Sequence, residues 1–265
     1  MNPPRLLTLL TDFGDRDTYV GVMKGVIAHI NPAINVIDLT HQIPPQDIAA
    51  ARFNLMSAYP YFPLGTVHVA VVDPGVGSLR RAIALKTSQA FLVGPDNGLL
   101  SGVWSQDPIL SAVELTNSQY WRIASPSSTF HGRDIFAAIG AHLASGVALE
   151  DLGHPVPLES LVNLTVAECT TTEAGILGAI QYIDHFGNLV TNIPATLIEG
   201  KPWCIQVQAF TIPAAQTYSS AAPGSLVALV GSHGWIEIAL TGGSAQQQLG
   251  VAWGTPVQVV ISPCR

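Results

Sequence analysis

Val67-His68-Val69-Ala70-Val71-Val72 runs straight into Asp73-Pro74-Gly75-Val76-Gly77. The first six residues carry no polar alternation and are rich in β-branched side chains, so they read as a strand buried on both faces. The glycines and proline then force the chain to turn. Upstream, Leu6–Leu10 has the same texture and stops at Thr11-Asp12-Phe13-Gly14, and Asn35–Leu39 is also strand-like. Between these runs, Tyr19 to Ile30 and Asp47 to Tyr59 carry helical spacing. Downstream, Ile83–Leu85 and Phe91–Val93 read as strands, and Arg133 to Ala144 as a helix. Buried strands alternating with helices imply an α/β layer architecture with a largely parallel sheet. Ligands collect at the carboxyl ends of such strands. Four polar loops lie at or near them: Asp12–Asp17, Thr40–Gln46, Asp73–Arg81 and Gly94–Gly98.

The texture changes near Val156–Thr172. Short runs such as Ile176–Ile183, Leu226–Val230, Trp235–Leu240 and Pro256–Ile261 follow, without helical spacing. They predict a small all-β barrel or sandwich. The expected division is an N-terminal α/β domain over 1–165 and a C-terminal β-barrel domain over 166–265.

Composition narrows the function. Of 265 residues, 48% are hydrophobic and only 11% charged, and the net charge is −7 with no basic run. That argues against a nucleic-acid partner while leaving room for a small cationic ligand. So little charge predicts a surface partly covered by oligomerisation. Cys169, Cys204 and Cys264 are far apart and odd in number, which indicates neither a disulfide framework nor a zinc site. Met1 to Arg5 has no signal-peptide pattern, and Leu6–Leu10 is too short for a membrane span. A cytoplasmic protein with no membrane partner is expected.

Individual segments admit two readings each. Asp12, after a buried strand, can accept hydrogen bonds from a ribose diol or cap the next turn. Asp73-Pro74-Gly75-Val76-Gly77, followed by Arg80 and Arg81, can approach a ligand or simply turn; no Gly-Lys-Ser/Thr makes it a phosphate loop. His131, in Thr129-Phe130-His131-Gly132-Arg133-Asp134, can transfer protons or cap the helix after it. His41 and His68 are poorer candidates, and His68 reads as core. Asp184-His185-Phe186-Gly187-Asn188 reads as a hairpin turn whose Asp184 and Asn188 could also hold an ammonium group.

Taken in order, these segments resemble the S-adenosyl-L-methionine hydroxide adenosyltransferase family, related to enzymes that fluorinate or chlorinate the same substrate. The resemblance is carried by Thr11–Gly14, Tyr19–Gly25, Val72–Gly77, Gly94-Pro95-Asp96-Asn97-Gly98, Thr129–Asp134 and Asp184–Asn188. It implies hydrolysis of S-adenosyl-L-methionine to adenosine and methionine, in a homotrimer with sites at subunit interfaces. It also implies that Asp73, Arg80 and His131 activate water and that Asp12 holds the ribose. Asn97 and Phe130 fall in matching motifs and join the expected substrate contacts, with Asp184, Asn188, Ser232 and His233 at the methionine end. No metal and no cofactor are expected, the sulfonium compound being substrate. Two positions depart from the halogenating relatives. Ser232-His233 stands where those read Ser-Arg, and Gln46 stands where they place a Trp against the substrate.

The sulfonium is its own leaving group, so the task is to deliver a nucleophile in line at C5′. Two rival readings remain: a halide as nucleophile, or a non-catalytic sensor of the sulfonium or of adenosine. A halide beside Asp73 would be repelled, and the resemblance places an aromatic residue there in the halogenating relatives. Both points favour water.

Overall fold

A computed structural model describes residues 6–262 of the chain; Met1–Arg5 and Cys264 lie outside the described residues. The chain divides between Leu164 and Thr165 into two compact units.

The first unit is built on a seven-stranded sheet. Its strands are β1 (Leu6–Thr11), β2 (Asn35–Thr40), β3 (Thr66–Val71), β4 (Ala82–Lys86), β5 (Ala90–Pro95), β6 (Ser111–Glu114) and β7 (His154–Pro155), in the order β2-β1-β3-β5-β4-β6-β7. The pairs β1–β2, β1–β3 and β3–β5 are parallel. The pairs β5–β4, β4–β6 and β6–β7 are antiparallel. The sheet is therefore mixed. The reason is local: only Thr87-Ser88-Gln89 separates β4 from β5, and three residues cannot make the crossover that a parallel pair needs.

Helices α1 (Tyr19–Ile30), α2 (Ile48–Ala58), α3 (Ser101–Trp104) and α4 (Ala137–Ala144) complete the unit. Leu7, Leu9, Val67, Val69 and Val71 share one core with Met23 and Ile27 of α1 and with Ile139 and Leu143 of α4. On the other residues of these strands, His68 meets the rings of Tyr59 and Phe62, just beyond α2. Coverage of both faces explains why β1 and β3 are buried along their whole length. His68 is a core residue: 1% exposed, with Nδ1 2.8 Å from Thr8 Oγ1. The Arg133-to-Ala144 run begins with a π-helical turn, Gly132–Phe136, before α4 takes over.

The second unit is an antiparallel sheet of eight strands. They are β8 (Thr170–Thr172), β9 (Gly175–Ile183), β10 (Leu189–Pro194), β11 (Cys204–Val207), β12 (Phe210–Pro213), β13 (Leu226–Val230), β14 (Trp235–Leu240) and β15 (Pro256–Val260). The order is β12-β11-β15-β9-β10-β14-β13, with β8 on β9. A bridge from Ala214 to Ala228 of β13 nearly closes the sheet into a barrel. Ile180, Leu189, Ile205, Ile236, Ile238 and Val259 fill its interior. The unit also holds one short helix, α5 (Ala245–Leu249), capped by Ser244. Five residues are too few to leave a helical period in sequence.

Candidate active site

Four chain segments meet at the carboxyl ends of β1 and β3. A cleft of about 410 Å3 there is lined by Asp12, Phe13, Tyr19, Gln46, Val71, Asp73, Pro74, Val76, Thr129, Phe130, His131 and Gly132. Asp12, Asp73, Phe130 and His131 were all expected at a site, and the fold brings them to one wall.

Arg80 organises the chemistry behind that wall. Its Nε donates to Asp73 Oδ1 at 2.9 Å, and its terminal nitrogen donates to Asp73 Oδ2. The same terminal nitrogen lies 2.8 Å from His131 Nδ1. The guanidinium also sits over the Phe136 ring, 5.3 Å from its centroid, a cation–π contact in a water-poor setting. The Asp73 and Arg80 side chains are only 5% and 11% exposed, so solvent screens this pair little. A guanidinium only donates. His131 Nδ1 therefore accepts, and the proton of the neutral ring lies on Nε2. Burial pushes the His131 pKa below its usual 6.5, and the Arg80 charge lowers it further, against smaller upward pulls from Asp73 and Asp134. Neutral His131 is thus the working form at pH 7.

The loops holding these groups are clamped to each other. Gly77 has φ +76°, and a Cβ there would meet the Ser128 carbonyl oxygen at 2.3 Å; only glycine allows that approach. Ser127 N in turn donates to Asp134 Oδ2 at 2.9 Å. Asp134 is fully buried and takes Arg122 Nε and both Arg133 Nε and its terminal nitrogen. Burial alone would raise its pKa, but Arg133, the Ser127 amide and Arg122 hold it well below the usual carboxylate range.

Asp12 is no helix cap. Its Oδ2 accepts the backbone N–H of Gln46, 34 residues away, at 2.8 Å. Gln46 itself has φ +66°, an uncommon conformation for a residue with a Cβ. Where the halogenating pattern has an aromatic side chain, Gln46 thus contributes a backbone donor. Flat surface comes instead from Phe13, Tyr19 and Phe130, whose centroids lie 5.2–5.8 Å apart. Phe13 and Tyr19 were quoted within motifs but not expected at the site. For Phe13 the available signal was its place directly after Asp12, just past the end of β1; Tyr19 opens α1 and carried none.

Asn97 is not among the residues that line this cleft. Its Nδ2 donates to Val72 O at 2.9 Å and its Oδ1 accepts Leu99 N. These bonds brace the residue before Asp73. Arg81, next to Arg80, is likewise structural: it binds Asp96 and Ser160.

The second unit holds its own polar cluster. Asp184 Oδ1 accepts the N–H groups of Phe186 and Asn188, and Asn188 Nδ2 donates to Asp184 Oδ2 at 2.9 Å. Asn188 and Glu237 lie on one sheet face, because Val190 pairs with Glu237 across β10 and β14. Glu237, unexpected from sequence, is 4% exposed. Tyr218 OH donates to its Oε1 at 2.8 Å, and His233 Nε2 lies 3.2 Å from its Oε2. Burial, the Glu237 hydrogen bond and the charges of Glu237 and Asp184 push the Tyr218 pKa up to about 12. His233 folds back so tightly that a Cβ on Gly231 would meet its ring at 2.4 Å. Ser232 stays exposed.

Among the described residues no group of three or more His, Cys, Asp or Glu could hold a metal ion, and no helix is long and apolar enough to cross a membrane.

Comparison with known proteins bears on this cleft. The family model of the SAM hydroxide adenosyltransferase N-terminal domain matches residues 7–153, and that of the C-terminal domain matches residues 178–258. The chain is 41% identical to an (R)-S-adenosyl-L-methionine hydrolase of Salinispora tropica, over 98% of this chain and 99% of that one. It is 40% identical to a protein of the same name from Thermus thermophilus, over 97% and 100%. A fluorinase of an Actinoplanes species is more distant, 28% identical over 88% and 90%. A solved structure of an uncharacterized conserved protein from Thermotoga maritima superposes with a TM-score of 0.89 at 35% identity, covering 96% of this chain and 99% of that one.

Proposed function

The chain belongs to the S-adenosyl-L-methionine (SAM) hydroxide adenosyltransferase family, and from that membership and its cleft we infer that it hydrolyses SAM to adenosine and L-methionine. The observation that carries the reading is the Asp73–Arg80–His131 chain of hydrogen bonds on the wall that also presents Asp12. The names of the hydrolase relatives support the (R) configuration at sulfur for this enzyme as well.

In the proposed mechanism Asp12 takes the ribose diol, and Phe13, Tyr19 and Phe130 enclose the nucleoside. Asp184 and Asn188 hold the methionine end, and the exposed Ser232 is a further proposed contact there. The nucleophile is a water between Asp73 and His131. His131 Nε2–H donates to its oxygen and Asp73 accepts one of its hydrogens, which aims the remaining lone pair at C5′. The C5′–O bond forms as the C5′–S bond breaks. Its electron pair goes to sulfur, which leaves as the neutral thioether of methionine. Holding the water in this attack geometry supplies roughly 7–11 kcal/mol of the rate enhancement.

Arg80 bonds both oxygens of Asp73, and the carboxylate has no need to be a strong base. A carboxylate keeps about four lone-pair sites, and the attacking oxygen becomes strongly acidic once bonded to carbon. Proton transfer to Asp73 therefore follows the onset of C–O bond formation. The sulfonium leaves without help, so the reaction is proposed to need no cofactor. A halide beside the Asp73 carboxylate would be repelled, which favours water as the nucleophile.

The homotrimer with sites at subunit interfaces is likewise proposed. It is supported by the 11% charge content and by apolar side chains left in solvent: Leu79 is wholly exposed and Phe186 is 73% exposed, each inside a candidate binding loop. Sedimentation at micromolar concentration should give three chain masses, and an active monomer would overturn it. A cytoplasmic location fits the free thiol of Cys169. Incubation with SAM in H2(18)O tests the reaction. The 5′-hydroxyl of the adenosine formed should carry the label, and a 5′-halogenated nucleoside in the presence of halide would overturn it.

A further inference from the structure

A cation-binding bias is built into the second unit. Past Leu164 the sequence has two permanent cations, Lys201 and Arg265. Lys201 donates to Leu197 O, in the turn after β10 and at the other end of that strand from Asn188. Arg265 is the last residue and lies outside the described residues. Around the proposed methionine-end groups the fixed charges are the carboxylates of Asp184 and Glu237.

His233 does not offset them. Its Nδ1 accepts the backbone N–H of Trp235 at 3.1 Å, so the ring in this arrangement holds its single proton on Nε2, which faces Glu237. Both ring nitrogens are engaged inside the unit, and the ring packs against Gly231. Tyr218 also points its hydroxyl hydrogen at Glu237. Among its described residues the unit thus offers an amino-acid arm strong attraction for its ammonium group and, beside Asp184 and Glu237, no guanidinium or ammonium for its carboxylate. Buried charge acts through a low dielectric, so Glu237 reinforces Asp184 although it is not on the surface.

We propose that the enzyme recognises its substrate arm by the ammonium group, and that it also hydrolyses the SAM analogue lacking the carboxylate, an adenosyl sulfonium bearing a 3-aminopropyl arm. This rests on the reading that Asp184 and Asn188 hold the methionine end. The reaction is the same displacement: water bonds to C5′, the C5′–S bond breaks with its pair to sulfur, and the products are adenosine, 3-(methylthio)propylamine and a proton.

The test compares adenosine release by the purified enzyme from three substrates: SAM, the aminopropyl analogue, and a deaminated analogue that keeps the carboxylate. The aminopropyl compound should retain kcat/KM within about tenfold of SAM, and the deaminated one should lose about a hundredfold. The reverse order overturns the proposal, as does comparable loss from both. Glu237→Gln should raise KM for the aminopropyl substrate about tenfold with kcat kept; unchanged KM in a folded variant removes Glu237. If the variant does not fold, the wild-type comparison alone decides. No adenosine from SAM itself would defeat the hydrolase reading, and this inference with it. Normal SAM turnover with the wrong analogue order defeats only the inference.

Discussion

The terminal nitrogen of Arg80 lies 2.8 Å from Nδ1 of His131, and this contact exists only while that ring nitrogen is unprotonated. Protonating His131 would set an N–H against a guanidinium N–H. The His131 pKa lies below 6.5, through burial first and the Arg80 charge second. Turnover should therefore be level through pH 7 and fall on the acid side, at a pH below 6.5. A profile still flat at the onset of acid unfolding would remove His131 from the reaction.

Replacing Asp73 with Asn should leave SAM binding nearly intact and cut turnover about 10²–10⁴-fold, the usual span for a positioned proton acceptor. The new amide would also turn an N–H toward Arg80. Calorimetry and chromatography of product separate the two effects. Near wild-type turnover would exclude Asp73 from the mechanism.

Asp12→Ala should weaken adenosine and SAM binding alike. One charged hydrogen bond is worth about 1.5–3 kcal/mol, and Oδ2 already serves Gln46 N. A loss of ten- to hundredfold is therefore expected, about the worth of one charged hydrogen bond to the diol. Equilibrium titration with adenosine measures it. If adenosine binds normally while the melting temperature drops, Asp12 only braces the Gln46 turn.

His68 sets an acid limit on stability. Burial depresses its pKa from 6.5 to about 4. Between those values the unfolded chain binds the proton and the folded chain does not, so stability falls as pH drops through that window. The full effect is about 3 kcal/mol. Across denaturant midpoints at pH 7, 5.5 and 4, wild type should lose stability relative to His68→Leu as pH falls. Parallel decline of the two would show that other groups govern acid unfolding.

The first unit was largely legible because its signals are local. A buried strand ending in Asp-Pro-Gly-Val-Gly announces both the sheet and the loop that carries Asp73, and Thr-Phe-His-Gly-Arg-Asp announces His131. The backbone bonds of Asn97 were not legible, because a carboxamide in a loop serves backbone and ligand equally well and only the folded positions of Val72 and Leu99 reveal them. The mixed strand directions were hidden in the three-residue β4–β5 connection. Glu237 left no mark at all: in Trp-Ile-Glu-Ile-Ala-Leu it alternates like a solvent-facing strand residue. Its hydroxyl partner Tyr218 comes from a single 3-10 turn, Tyr218–Ser220, 19 residues away.

The bond from Asp134 to Ser127, and the seat of Gly77 against Ser128, have a consequence for motion. Residues 73–80 and 127–134 cannot open separately, since lifting either exposes the Asp134 carboxylate or unseats the Gly77 turn. In amide hydrogen exchange the two stretches should share one opening free energy and form a single cooperative unit, well above that of the surrounding loops. Gly77→Ala should lower protection in both at once, including in the segment it does not touch by sequence. Such coupling makes the water site a rigid mould, whose shape is fixed before any ligand arrives.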